Sequence, residues 1–133
     1  MIERIRLEDA LPEPISHYTD AVRADGTLWV SGLLPVDPTG ALVGGDEPEA
    51  QADQVLANLA LVLEAAGASF ADVVKVGVYV RRMGDRQAID RARMRWFGEA
   101  RPASTLVEVS ALAHPDALVE IEAVVHCTAP AVH

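Results

Sequence analysis

The amino-acid sequence predicts an α/β chain of the two-layer α+β sandwich type, with strands in one layer and two helices in the other. Three observations carry that expectation. Two segments, about 48–66 and 86–99, space their apolar residues as helices do. Val73–Val80 is a continuous β-branched run, and the last third holds two alternating segments, near 104–109 and 118–127.

Each element has a local reason. Asp25-Gly26 sits between Ala21-Val22-Arg23-Ala24 and Leu28-Trp29-Val30-Ser31-Gly32, which reads as a tight hairpin between two strands. Pro35 to Gly40 is turn chemistry, and Gly44-Gly45-Asp46 is a further break. The first helix should bury Val55, Leu56, Leu59, Val62, Leu63 and Ala66, with Asp46, Glu47 and Glu49 at its positive end and Gly67 as its stop. After the Val73–Val80 strand, Met83-Gly84-Asp85 turns the chain, with Asp85 as N-cap. The second helix should bury Ile89, Ala92, Trp96 and Phe97 and leave Arg91, Arg93 and Arg95 outside or at its flank.

At 133 residues the chain is expected to form one domain, 1–133, with enough length for a hydrophobic core. No run of 18 apolar residues and no secretory leader pattern is present, so the expectation is a cytoplasmic protein with no membrane partner. The single cysteine, Cys127, excludes an internal disulfide and a cysteine-based metal cluster. His17, His114, His126 and His133 show no metal spacing, and no cofactor motif is present, so neither metal nor cofactor is expected. A net charge of −9 argues against a general nucleic-acid partner. Yet eight of the eleven basic residues lie between 75 and 101, as either a solvated helix face or an anion-attracting site.

Arg101-Pro102-Ala103-Ser104-Thr105-Leu106-Val107-Glu108-Val109, then Leu118-Val119-Glu120-Ile121-Glu122-Ala123-Val124-Val125, resembles the C-terminal signature of the RidA (YjgF, L-PSP) family. That signature is Pro-Ala-Arg-Ser-x-Val-x-Val, a short loop, then Glu-Ile-Glu-Ala. His17-Tyr18, Ser31-Gly32-Leu33-Leu34-Pro35-Val36 and Leu63-Glu64-Ala65-Ala66-Gly67 extend the likeness in the right order. The resemblance implies a RidA-like, chorismate-mutase-like fold: a mixed six-stranded sheet with two helices on one face, in a homotrimer with ligand pockets between subunits. A trimer is physically sensible, because two helices cover only one face of such a sheet.

The resemblance also implies chemistry. In this family an arginine grips the carboxylate of an enamine or imine, and a glutamate activates the water that releases ammonia. The glutamate matches Glu120, while the arginine's position is Ser104. A hydroxyl does not reproduce the bidentate fork of a guanidinium, so 2-aminoacrylate should be a poor substrate. Arg101, three residues upstream, is either a surrogate or simply exposed. Thr105 accompanies Ser104, and Tyr18, Ser31 and the backbone N–H of Gly32 are further pocket candidates. Asp90 stands where many relatives have Asn. From pattern alone, Glu120 and Glu122 should project to the same face, as a site or as a solvated one.

The expected function is hydrolysis or deamination of a small enamine, imine or related C–N metabolite. The alternatives are a non-catalytic small-ligand-binding or scaffold trimer and, less favoured, an endoribonuclease.

Overall fold

The computed structural model describes residues 1–128. Strand β1 (Ile2–Ile5) pairs antiparallel with β2 (Ala21–Ala24), which the hairpin joins to β3 (Thr27–Leu33). Asp25 and Gly26 both have positive φ, 49° and 86°, the geometry that matches a two-residue turn to the twist of its strands. Helix α1 (Pro48–Ala66) leads through a short 3-10 turn to β4 (Val73–Val80). Helix α2 (Arg86–Phe97) then crosses over to β5 (Ala103–Glu108), and β6 (Val119–His126) closes the sheet.

The sheet order is β1-β2-β3-β6-β4-β5. The β4–β5 pair is parallel and needs the α2 crossover; the other pairs are antiparallel. The six-stranded mixed sheet with two helices is therefore the expected fold. Its β1 carries too short a pattern to stand out in the sequence. Val76, Val78 and Val80 of β4 and Val119, Ile121, Ala123 and Val125 of β6 are buried with Val55, Leu56, Leu59, Val62 and Leu63 of α1 and Ile89 and Ala92 of α2. Phe70 closes the end of this layer edge-on to Phe97, ring centroids 4.9 Å apart.

Helix α1 ends as foreseen at Gly67, where Gly67 N–H donates to Glu64 O and Ala68 N–H to Leu63 O. The start of α2 departs from expectation. Asp85 holds the N-cap position without capping through its side chain, because it closes a 3-10 turn with a helical backbone (φ −81°, ψ −4°), and Arg82 Nε donates to its carboxylate at 3.0 Å. The helix also stops at Phe97, two residues early, with Gly98 turning the chain at φ 61°. Trp96 is partly buried rather than core, and its indole N–H donates to Asp53 of α1 at 2.8 Å. Arg91 and Arg95 stand outside, both paired with Glu49. Arg93 does not: its side chain is 17% exposed, at the flank that faces β5.

The face of the sheet turned away from the helices carries Trp29, 54% exposed, together with Val107 and Val124. Among the described residues no helix is long and apolar enough to cross a membrane.

Candidate active site

The end of β3 forms the floor of a cavity. Between Val30 and Leu33 its register against β6 shifts, so Ser31 and Gly32 leave the regular ladder. Such irregularities re-aim neighbouring groups. Over this floor lie the loop before β2 and the loop before β6, enclosing about 170 Å³ lined by Leu11, Ile15, Tyr18, Leu34, Val36 and Ala113, among others. A shallower recess of about 300 Å³ continues it past Ser31 and Gly32 to Glu120.

Buried polar side chains hold these walls. Asp20 accepts from Arg6 Nη1 at 2.9 Å and from the Leu7 N–H at 2.7 Å, which fixes the first loop. Asn58 donates to Leu34 O and Val36 O at 3.1 and 3.0 Å and so pins the chain leaving β3. Gln51 donates to Asp116 O at 3.1 Å and accepts from Leu118 N–H at 2.7 Å, which secures the loop before β6. Each satisfied buried group specifies one backbone path.

Glu120 lies against Gly32. A Cβ at residue 32 would come within 2.9 Å of the Glu120 carboxyl carbon, so only glycine leaves the carboxylate where it is. Among the described residues Glu120 has no hydrogen-bond donor. Burial, and secondarily the charge of Glu122, push its pKa above the ordinary glutamate value. Glu122 projects to the same face, as the alternation requires, but is differently placed: Tyr79 donates its hydroxyl to Glu122 Oε1 at 2.9 Å. That bond and burial raise the Tyr79 pKa.

The candidates divide into three groups within one chain. Tyr18, Ser31, Gly32 and Glu120 share one recess. Tyr18 is 45% exposed there, and the Ser31 hydroxyl donates to Thr19 O at 2.6 Å, which leaves it lone pairs to accept with. Ser104 pairs with the inward-facing Val76 and, with Arg101, lines a groove of about 570 Å³ on the helix side of β5. Thr105 is on the opposite face and accepts from Lys75 Nζ at 3.0 Å.

Sequence reasoning missed Arg93, which lines the Ser104 groove. The signal was available in its position four residues after Ile89 and four before Phe97, on the buried flank of α2. It also missed Ile15 and Ala113, whose loops have no pattern. Among the described residues no group of three or more His, Cys, Asp or Glu could hold a metal ion, and His133 lies outside them.

A RutC family protein of Pyrococcus horikoshii is 44% identical over 127 residues, covering 95% of this chain and 98% of that protein. A protein of Acinetobacter baylyi named 3-aminoacrylate deaminase RutC is 36% identical over 126 residues, with 95% and 99% covered. The crystal structure of RidA from the Antarctic bacterium Psychrobacter sp. superposes with a TM-score of 0.86 at 34% identity, covering 93% of this chain and 98% of that one. The family described as Endoribonuclease L-PSP matches residues 8–127. With agreement over nearly its whole length, the chain belongs to that family, the RidA/YjgF family to which its C-terminal strands pointed.

Proposed function

We propose that this protein is a deaminase-type hydrolase of a small enamine or imine, acting at sites between the subunits of a homotrimer, with Glu120 as the residue that activates water. The observation that carries the reading is Glu120 itself: a half-buried carboxylate with no donor among the described residues, a raised pKa, and a glycine floor that keeps it in place. A carboxylate whose pKa is raised is a stronger base than an ordinary one. The name of the Acinetobacter relative supports the reaction class.

The reaction balances without a cofactor. For a β-enamine acid such as 3-aminoacrylate, protonation of the carbon that bears the carboxylate gives the iminium ion. Water adds to the nitrogen-bearing carbon while Glu120 accepts its proton. Glu120 passes that proton to the carbinolamine nitrogen, which leaves as ammonia as the C–N bond breaks, giving the aldehyde acid. Tyr18 offers a hydroxyl and an aromatic face to a small planar ligand, and Gly32 an amide outside the regular ladder.

In one chain Glu120 and Ser104 are on opposite faces of the sheet, so a site using both must draw them from different copies. The outer face, where Trp29 is exposed beside Val107 and Val124, is the surface such an assembly would cover. RNA is the less favoured substrate, because a net charge of −9 opposes phosphate binding.

The test is ammonia release from 3-aminoacrylate and from 2-aminoacrylate, each generated in situ, with the uncatalysed rate subtracted. Acceleration of the β-enamine is the expected result, and equal acceleration of 2-aminoacrylate would show that Ser104 is no handicap. No acceleration on any enamine or imine, with binding of small ligands retained, would favour a non-catalytic binding trimer instead.

A further inference from the structure

The groove beside Ser104 contains a guanidinium whose surroundings are incomplete. Three arginines show how the fold treats a largely buried one. Arg6, 20% exposed, donates to Asp20 and to the carbonyls of Leu7, Leu11 and Pro12. Arg23, 11% exposed, donates to Glu3, Cys127 and Ala66 O. Arg93, 17% exposed, has one partner among the described residues, Asp90 Oδ1 at 3.7 Å, beyond hydrogen-bond length and itself half exposed.

A guanidinium offers five N–H donors, and those of Arg93 open onto the groove instead of meeting protein acceptors among the described residues. Desolvation pulls the Arg93 pKa down from its ordinary value. The groove is shaped to return an acceptor. Met94, Phe97 and Pro102 supply apolar walls, Ser104 is short enough to leave space, and Arg93 and Arg101 outnumber Asp90 in charge. A small planar anion fits that chemistry, since a carboxylate takes two parallel N–H bonds from one guanidinium.

We propose that Arg93 binds the substrate carboxylate, so that this chain takes acid-bearing enamines or imines with the guanidinium supplied from α2 rather than from β5. The inference deepens the deaminase reading and rests on it for the identity of the anion. Ser104 adds one hydroxyl donor to the same carboxylate.

The test separates anion binding from turnover. 3-Hydroxypropionate, a three-carbon acid with no C–N bond, is titrated calorimetrically into the assembled protein, with its uncharged amide as comparison. The parent should bind the acid in preference to the amide. Arg93→Gln should weaken the acid at least about thirty-fold, the lower end for truncating one partner of a buried charge pair. Arg93→Lys, which keeps the charge and loses the fork, should fall between, and Arg91→Gln should bind as the parent does. Arg93→Gln combined with Ser104→Arg should regain affinity, which a folding defect would not allow. An Arg93→Gln protein of parental mass and circular dichroism that binds the acid unchanged would overturn the proposal, as would a parent that does not prefer acid to amide. Arg93-dependent binding without ammonia release from any enamine would sink the deaminase reading and leave the anion site standing. Ammonia release from an acidic enamine unaffected by Arg93→Gln would do the reverse.

Discussion

Tyr79 leans across Gly77 to reach Glu122. A Cβ on residue 77 would lie 3.3 Å from the tyrosine hydroxyl and 3.0 Å from Glu122 Cγ, so the glycine is what lets a residue opposite Glu120 bond diagonally to Glu122. Two carboxylates two residues apart on one strand thereby acquire different characters. Glu122 accepts a hydrogen bond and is tied down, whereas Glu120 is left to the ligand recess.

Glu120→Gln keeps size and polarity but removes the base, and should lower turnover about 100-fold or more with mass and thermal unfolding unchanged. Glu122→Gln should cost far less. Steady-state ammonia release for both variants is the measurement, and equal, small losses would assign water activation elsewhere.

The acid limb of the pH–rate profile should lie above the pH of an ordinary glutamate, because the base must be deprotonated and its pKa is raised. Glu122→Gln removes the like charge and should move that limb to lower pH. Burial, the larger cause, remains, so the limb should stay above the ordinary range. The sign for stability follows from the same shift. Between the unfolded and folded pKa values the folded state binds the additional proton, so this group favours folding as pH falls through that window. A profile in which Glu122→Gln leaves the limb fixed would show that the two carboxylates do not interact.

Gly32→Ala should separate activity from stability. The added methyl meets the far end of a flexible side chain, which can swing aside at a cost below about 1 kcal/mol. The displaced carboxylate no longer addresses the recess, so kcat should fall at least about ten-fold while the melting temperature moves little. A variant as active as the parent would mean that Glu120 need not occupy this position.

Light scattering should return a trimer for the parent. Trp29→Glu replaces the large exposed aromatic of the outer face with a charge and should yield smaller species with native circular dichroism. A Trp29→Glu protein of unchanged mass would place the subunit contact on another surface.

Much of this architecture is legible in the sequence, because burial imposes a period. The β4 run matched its segment, every residue expected in the α1 stripe is buried, although Gln51, Ala52 and Asn58 are buried as well, and the alternation in β6 placed Glu120 and Glu122 on one face. Reading failed where local chemistry competes. Asp85 has the right type and position for a cap, but its backbone closes a 3-10 turn and its carboxylate accepts from Arg82 instead. Strand β1 is four residues long and half polar, so only its pairing with β2 makes it a strand. The cavity was the least visible part, because Ile15 and Ala113 come from loops set by the buried contacts of Asp20 and Gln51. Arg93 was hidden by its neighbours: three arginines in alternate positions look alike in sequence, yet a helix turns only the middle one toward β5.

The opposite facing of Glu120 and Ser104 bears on inheritance as well as on chemistry. If each site joins Glu120 of one copy to the β5 groove of the next, a copy defective in one half is intact in the other. Co-expressed Glu120→Gln and Arg93→Gln chains, each impaired alone, would then rebuild complete sites wherever the two sound halves meet, at about one boundary in four for random mixing. Defects in different halves complement, whereas two lesions in the same half do not.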